Sequence, residues 1–409
     1  MEHSKKTSSG TPSLTSVEEA ISAIANGEMV VVVDDEDREN EGDLIVAAEK
    51  ITPEIVNFFA TEARGLICTP VGSEISDRLQ FRPMVRRNEE STGCNFAVSV
   101  DLRKGIASGI SAFDRAATIQ RISNSSALPG DFVSPGHVFP LHAKDGGVLV
   151  RAGHTEATVD LARLAGLAPA GTLCEIMNSD GTMARLPELI TFAKKHNLKI
   201  ISIEDLIRYR RERETLVDEV ASATIPTVFG IFEIRVFQER LTGVEHVAMI
   251  RGNLSDAESP LVRVHSECLT GDVFRSLRCD CRSQLDAALN LIAEEGVGVL
   301  VRMSQEGRGI GLSAKIQAYA LQDEHGIDTV EANHRLGFRD DLRDYGIGAQ
   351  ILKKLGIKNM RLLTNNPRKI VGLSGYGISV DERVPLLVGE SEQNSEYLRA
   401  KKEKLGHFL

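Results

Sequence analysis

Three cysteines crowd into one short stretch, HSECLTGDVFRSLRCDCRSQ, with the spacing C-x10-C-x-C: Cys268, Cys279 and Cys281. Three thiolates suit zinc, and three protein ligands with a free fourth position are the pattern of a catalytic site, not of a closed structural one. An open zinc lowers the pKa of its bound water enough to supply hydroxide near neutral pH. Two other readings stay open here: His265 as a fourth ligand closing a structural site, or a disulfide with one spare thiol. Around the cluster lie Arg263, Arg308, Arg343 and Lys369, with Gly307, Gly309 and Gly311 beside Arg308. In a chain of net charge -10, such loop cations point to a polyphosphate that the glycines let the backbone approach closely. The loop has neither the Walker lysine-hydroxyl pair nor the dinucleotide fingerprint, which sets both of those readings aside.

A second constellation lies in the first half. DDEDRENEGD at 34–43 holds seven acidic positions and Arg38, a density that repels itself unless a cation or a polyhydroxylated ligand gathers the carboxylates. A solvated acidic loop is the plain alternative. It loses ground because a β-branched run precedes the segment and the apolar Leu44 to Ala48 follows it, which fixes the loop's geometry. His137 stands between prolines in PGHVFP, and His154 stands in RAGHT, two imidazoles in rigid or glycine-punctuated loops of one domain.

The elements that must hold these residues follow from pattern. Ser16 with Glu18 and Glu19 reads as a helix start and Gly27 as its stop. Met29 to Val33 reads as a buried strand delivering the acidic loop. Helix and strand patterns alternate to Leu198–Ile203, and IEDLIRYRRERETLVDE (203–219) reads as a charged amphipathic helix. Short strands restart around Val228 to Val236 and Val247 to Arg251. A helix then runs from Ser283 to about Glu295, followed by a turn at Gly296, a strand at Val297 to Met303, a glycine-rich loop and another helix. The expected fold class is α/β in two domains, an α+β N-terminal domain and an α/β C-terminal one with crossover connections. The expected organisation is a flexible tail at 1–13 and domains at 14–212 and 222–409, with no internal repeat.

Composition agrees with that scheme. At 409 residues, 42% apolar and 26% charged, the chain is long enough for two cores. Its negative charge argues against wrapping nucleic acid or an anionic membrane. No run approaches the roughly 18 apolar residues of a membrane span, and no hydrophobic signal core opens the chain, so a soluble cytoplasmic protein is expected. Cys68, Cys94 and Cys174 are scattered in apolar surroundings and read as small buried hydrophobes.

Over about residues 14 to 210 the sequence resembles the 3,4-dihydroxy-2-butanone 4-phosphate synthases, through DDEDRENEGD, SGISAFDRA (108–116), PGHVFPL, RAGHTEATVDL and CEIMNSDGTMAR (174–185). The resemblance implies D-ribulose 5-phosphate as substrate, formate and a four-carbon phosphate as products, and Mg2+ or Mn2+ as cofactor. It implies Glu39 and His154 on the metal, and Arg38 and Asp43 on the substrate. It implies Arg151, Ala152, Gly153, His154 and Thr155 around the phosphate end, and His137 and Glu175 in proton transfer. The chain departs from the family pattern at Arg86, Arg87, Cys94, Asn95 and Ala97, in a loop placed to close over substrate.

From about 222 to 409 the sequence resembles GTP cyclohydrolase II, through RVHSECLTGD, RCDC, QEGRGIGL, DTVEANHRLGF, DLRDYGIGAQIL and LLTNNP. That resemblance implies opening of the guanine imidazole ring, release of formate and loss of pyrophosphate. It implies Zn2+ on Cys268, Cys279 and Cys281. The GTP contacts it implies are Arg263, Val264, His265, Ser266, Glu267, Gln284, Glu306, Gly307, Arg308, Thr329, Thr364 and Lys369. Asp341 becomes a proton acceptor and Arg343 a nucleophile. A guanidinium keeps its proton well above neutral pH, so charge stabilisation at phosphorus competes with nucleophilic attack as the role of Arg343. Ser304 stands where relatives often have arginine, and Arg275 and Arg282 stand where glycine is common. Both families imply a homodimer. Two further readings stay open: a single active domain with the other structural, and a zinc-dependent nucleotide-binding module without catalysis.

Overall fold

The computed structural model describes residues 14–338, 343, 345–366, 376–404, 406 and 408. The chain divides into two compact units, Met1–Arg211 and Glu212–Leu409.

In the first unit Ser16 caps the helix Val17–Asn26 through a capping box with Glu19, and Gly27 ends it at φ 82°. The chain then enters strand β1 (Val30–Val33), whose four valines are all buried, each contributing about 2 kcal/mol by leaving water. The remaining strands are β2 (Gly42–Ala47), β3 (Cys68–Val71), β4 (Val100–Leu102), β5 (Phe132–His142), β6 (Gly171–Glu175) and β7 (Lys199–Ser202). They form one mixed sheet in the order β4-β5-β3-β6-β2-β1-β7. β2 and β6 are buried along nearly their whole length, because helices and loops cover both faces of the sheet. One core gathers Leu44, Val46, Phe59 and Ile119, the other Ile45, Leu161, Leu173 and Ile201.

In the second unit the strands are β8 (Val217–Thr227), β9 (Gly230–Glu239), β10 (Glu245–Arg251), β11 (Leu261–Ser266), β12 (Gly298–Met303), β13 (Asn359–Leu363) and β14 (Ser379–Val384). Their order is β14-β13-β11-β12-β10-β9-β8. The pairs β11–β12, β11–β13 and β13–β14 are parallel, and the other half of the sheet is antiparallel. The helix Cys281–Glu295 makes the crossover between β11 and β12 and ends at Gly296, φ 82°. Parallel strands leave a crevice at their carboxyl ends, where the loops after β11, β12 and β13 converge.

The helix expected over 203–219 is shorter than its pattern suggested. It ends at Arg213, and Val217–Thr227 is a strand paired with β9. β8 is an edge strand exposed along most of its length, so it shows no alternation of apolar and polar residues. Val228 and Phe229, expected to open the next strand, form the turn of the β8–β9 hairpin.

Candidate active sites

Asp34 organises the acidic loop at the end of β1. Its carboxylate accepts from Arg38 Nη1 at 2.8 Å, from Glu41 N at 2.8 Å and from Glu39 N at 3.2 Å. Those bonds turn Glu39 toward His154, the first residue of the helix His154–Leu164. His154 is buried, and its Nε2 lies 3.1 Å from the Val32 carbonyl oxygen, to which an N–H there donates. Nδ1 is then left as an acceptor, 3.9 Å from both Glu39 Oε2 and Asp43 Oδ1. Burial pulls the His154 pKa down, which favours the neutral imidazole, the form that could ligate a metal. Asp34, Glu39 and His154 each offer an atom within 4.8 Å of the others. Asp34 was not singled out from sequence, and its three accepted bonds make it the organiser of this group.

Asp43 and Glu175 are direct partners across the antiparallel β2–β6 pair and so share a face. Burial raises the pKa of both, and Glu175 raises that of Asp43 further. Asp43 Oδ1 is buried with no hydrogen-bond partner, an acceptor that fits a cation or a ligand hydroxyl. Glu175 Oε2 accepts from Leu66 N at 2.8 Å. His137 lies on β5, which pairs in parallel with β3 (Cys68↔Phe139), while β3 meets β6 at Leu173. That register puts His137 and Glu175 at the same end of the sheet. His137 Nδ1 lies 2.7 Å from Asp101 Oδ2, and its backbone N–H donates to Asp101 Oδ1 at 2.9 Å. Asp101, on β4, was missed from sequence because its partner is 36 residues away on another strand.

Arg151 donates to Glu156 at 2.6 Å and, through Nε and Nη2, to the carbonyl and hydroxyl of Thr92. A side chain on Gly153 would meet the Arg151 guanidinium, which would have to swing away from Glu156 to admit it. Ala152 is exposed and Thr155 is buried. The loop carrying Thr92 and Cys94 is thereby tied to the start of the helix: Cys94 Sγ lies 4.0 Å from Thr155 Oγ1, whereas Arg86 and Arg87 are exposed.

In the second unit Cys268 follows β11, while Cys279 and Cys281 lead into the helix after it. Their sulfurs lie within 4.8 Å of one another. Cys268 and Cys279 are 3.7 Å apart, beyond disulfide length, and all six cysteines are free. Hydrogen bonds from its two neighbours and from Lys315 hold Cys268 toward the thiolate. The same sharing pushes Cys279 up to about 11 and raises Cys281. One proton leaves such a trio easily and the others resist, as suits a cluster that a cation completes. His265 stands outside this group: its Nε2 is 3.1 Å from both oxygens of Asp272.

The crevice around the cluster is lined by residues of every converging loop. Arg263 donates from Nη2 to Gln284 at 2.6 Å and from Nη1 to the Leu363 carbonyl at 2.7 Å. Its burial lowers its pKa to about 10, so it stays charged at neutral pH. Gly307 and Arg308 both adopt left-handed backbone, at φ 62° and 63°, an arrangement glycine tolerates and arginine holds at a cost of about 1 kcal/mol. Glu306 receives Lys315 at 2.7 Å and Leu269 N at 2.6 Å, and Lys315 also reaches Cys268 Sγ at 3.2 Å. Ser266, Glu267, Thr329, Arg343 and Thr364 line the same crevice, while Val264 is part of the buried core. Asp341 and Lys369 lie outside the described residues. Ser304 turns away, its hydroxyl donating to the Glu245 carbonyl at 2.6 Å. Lys315, Tyr319, Tyr397 and Lys401 also line the crevice and went unnoticed in the sequence.

Residues 18–209 match the family model for 3,4-dihydroxy-2-butanone 4-phosphate synthase and residues 218–385 that for GTP cyclohydrolase II. The chain is therefore a two-domain enzyme, a lyase followed by a hydrolase. It is 60% identical over 396 residues to the riboflavin biosynthesis protein RibBA of Aquifex aeolicus, covering 96% of this chain and 97% of that protein. It is 59% identical to the RibBA of Bacillus subtilis, covering 96% and 98%. A crystal structure of RibBX, a two-domain 3,4-dihydroxy-2-butanone 4-phosphate synthase from A. baumannii, is similar with a TM-score of 0.69 at 38% identity, covering 91% of this chain and all of that one. The chain belongs to the RibBA family of bifunctional riboflavin biosynthesis enzymes.

Proposed function

We propose that the N-terminal unit converts D-ribulose 5-phosphate to L-3,4-dihydroxy-2-butanone 4-phosphate and formate through Glu39, His154, Asp43, Glu175 and His137. The C-terminal unit hydrolyses GTP to 2,5-diamino-6-(5-phosphoribosylamino)pyrimidin-4-one, formate and diphosphate. The observation that carries this reading is the presence of two separate donor clusters, Asp34–Glu39–His154 in one unit and three thiols in the other.

In the first site Glu39 and His154 would hold Mg2+ or Mn2+, which when bound would supply the polarisation of the sugar oxygens. Arg38 and Asp43 bind substrate hydroxyls. Glu175, whose pKa burial raises, and His137, oriented by Asp101, are placed to pass protons to and from the substrate. Arg151 and the free N–H groups that open the helix at His154 receive the phosphate end.

In the second site Cys268, Cys279 and Cys281 would hold Zn2+, which when bound would supply Lewis-acid chemistry for ring opening. Arg263, Arg308, Arg343 and Lys369 balance the triphosphate, while Gln284, Glu306, Thr329 and Thr364 surround the nucleoside. Asp341 accepts a proton, and Arg343 stabilises charge at phosphorus. The working form is a cytoplasmic homodimer.

Formate released by the purified chain from each substrate separately tests this. Glu39→Ala or His154→Ala is expected to abolish formate from ribulose 5-phosphate and spare GTP turnover, and Cys279→Ser to do the reverse. Formate from only one substrate in the unaltered chain would leave a single active domain.

A further inference from the structure

The crevice of the second unit is completed by a helix beyond the matched part of the chain. The cyclohydrolase match ends at residue 385, whereas the helix Ser395–Glu403 brings Tyr397 and Lys401 into the lining. Lys401 is only 8% exposed, and its ammonium donates to Asp280 Oδ1 at 2.6 Å. Asp280 stands between two cysteines of the cluster. Its other oxygen accepts from Gln284 Nε2 at 2.6 Å, and Gln284 Oε1 accepts from Arg263 Nη2 at 2.6 Å. Arg263 in turn donates to the Leu363 carbonyl at the end of β13. The chain of contacts therefore runs from the helix, through the cysteine loop, to the guanidinium in the crevice. The Tyr397 ring centroid lies 4.5 Å from Lys401 Nζ and 6.0 Å from Arg308 Cζ, within reach of both cations.

A buried lysine is rare unless paired, and for stability alone an apolar side chain of its size serves as well. What an apolar side chain cannot do is hold Asp280, and with it the orientation of Gln284 and Arg263.

We propose that Lys401 is a positioning residue for nucleotide binding: acting through Asp280 and Gln284, it holds Arg263 where GTP meets it, with Tyr397 as the adjoining wall. This rests on the cyclohydrolase reading of the unit.

The test uses the full, zinc-loaded chain. Lys401→Met is expected to raise KM for GTP and the equilibrium Kd for a fluorescent GTP analogue by about tenfold, with kcat within about threefold. Zinc per chain stays unchanged. Lys401→Arg, whose guanidinium also reaches Asp280, restores most of the affinity. Wild-type KM and Kd in Lys401→Met overturn the proposal. So does zinc loss or early unfolding in that variant without rescue by arginine, since the residue then serves only the scaffold. If the unaltered chain released no formate from GTP, the reading of the unit would fail, while the Kd series would still decide whether Lys401 positions a nucleotide site.

Discussion

Asp43 and Glu175 stand opposite each other on adjacent strands, Asp43 buried and Glu175 half-buried, and one Asp43 oxygen has no hydrogen bond. Two such carboxylates cannot both ionise cheaply. Because the folded pKa of Asp43 lies above its unfolded value, the folded state holds the proton more tightly. The resulting stability is fully present below the unfolded value, near 3.9, and is lost as pH rises through the folded pKa. At neutral pH the site therefore opposes folding. In chelator-treated protein at pH 7, Asp43→Asn is expected to raise the melting midpoint of the N-terminal unit by about 3 °C, the shift that roughly 1 kcal/mol gives in a domain of this size. Activity on the sugar phosphate should be lost. A midpoint that stays put or falls would mean that Asp43 is not held at a cost. The Asp101–His137 pair makes a kinetic claim instead. Asp101→Asn keeps the shape and removes the charge that orients the imidazole, so kcat on ribulose 5-phosphate should fall about a hundredfold with KM nearly constant. Wild-type kcat in that variant would take His137 out of proton transfer.

The stretch from β11 through the helix Cys281–Glu295 carries the cysteine cluster, and His265 within it faces Asp272. His265→Gln keeps an N–H for Asp272 and removes the imidazole. Metal analysis should find one zinc per chain in that variant, as in the unaltered protein, and zinc loss would restore the closed four-ligand site. This cluster was legible in the sequence because its three thiols are near one another along the chain. So were the helix caps at Ser16 and Gly27, which act within four residues. Edge strand β8 was not legible, since exposure on most of its length leaves no pattern to read. Lys315, 47 residues from Cys268, and Asp101 were hidden for a different reason: only the folded chain brings them to their partners.

Each unit has its own sheet, its own core and its own donor cluster. Heat is therefore expected to unfold the chain in two calorimetric transitions, and a zinc-selective chelator should lower only the one belonging to the C-terminal unit. A single transition that moves as a whole would show that the units melt together. The second site also joins contacts of very different span. Cys268 and Cys279 are 11 residues apart, whereas Lys401 and Asp280 are 121 apart, a difference of about 2 kcal/mol in the entropy of closing the loop. During synthesis at roughly 5 to 20 residues per second, the last of the thiols is added some 6 to 24 s before the lysine that pairs with Asp280. The nascent chain thus holds its three clustered thiols well before it holds the lysine that pairs with the aspartate between two of them.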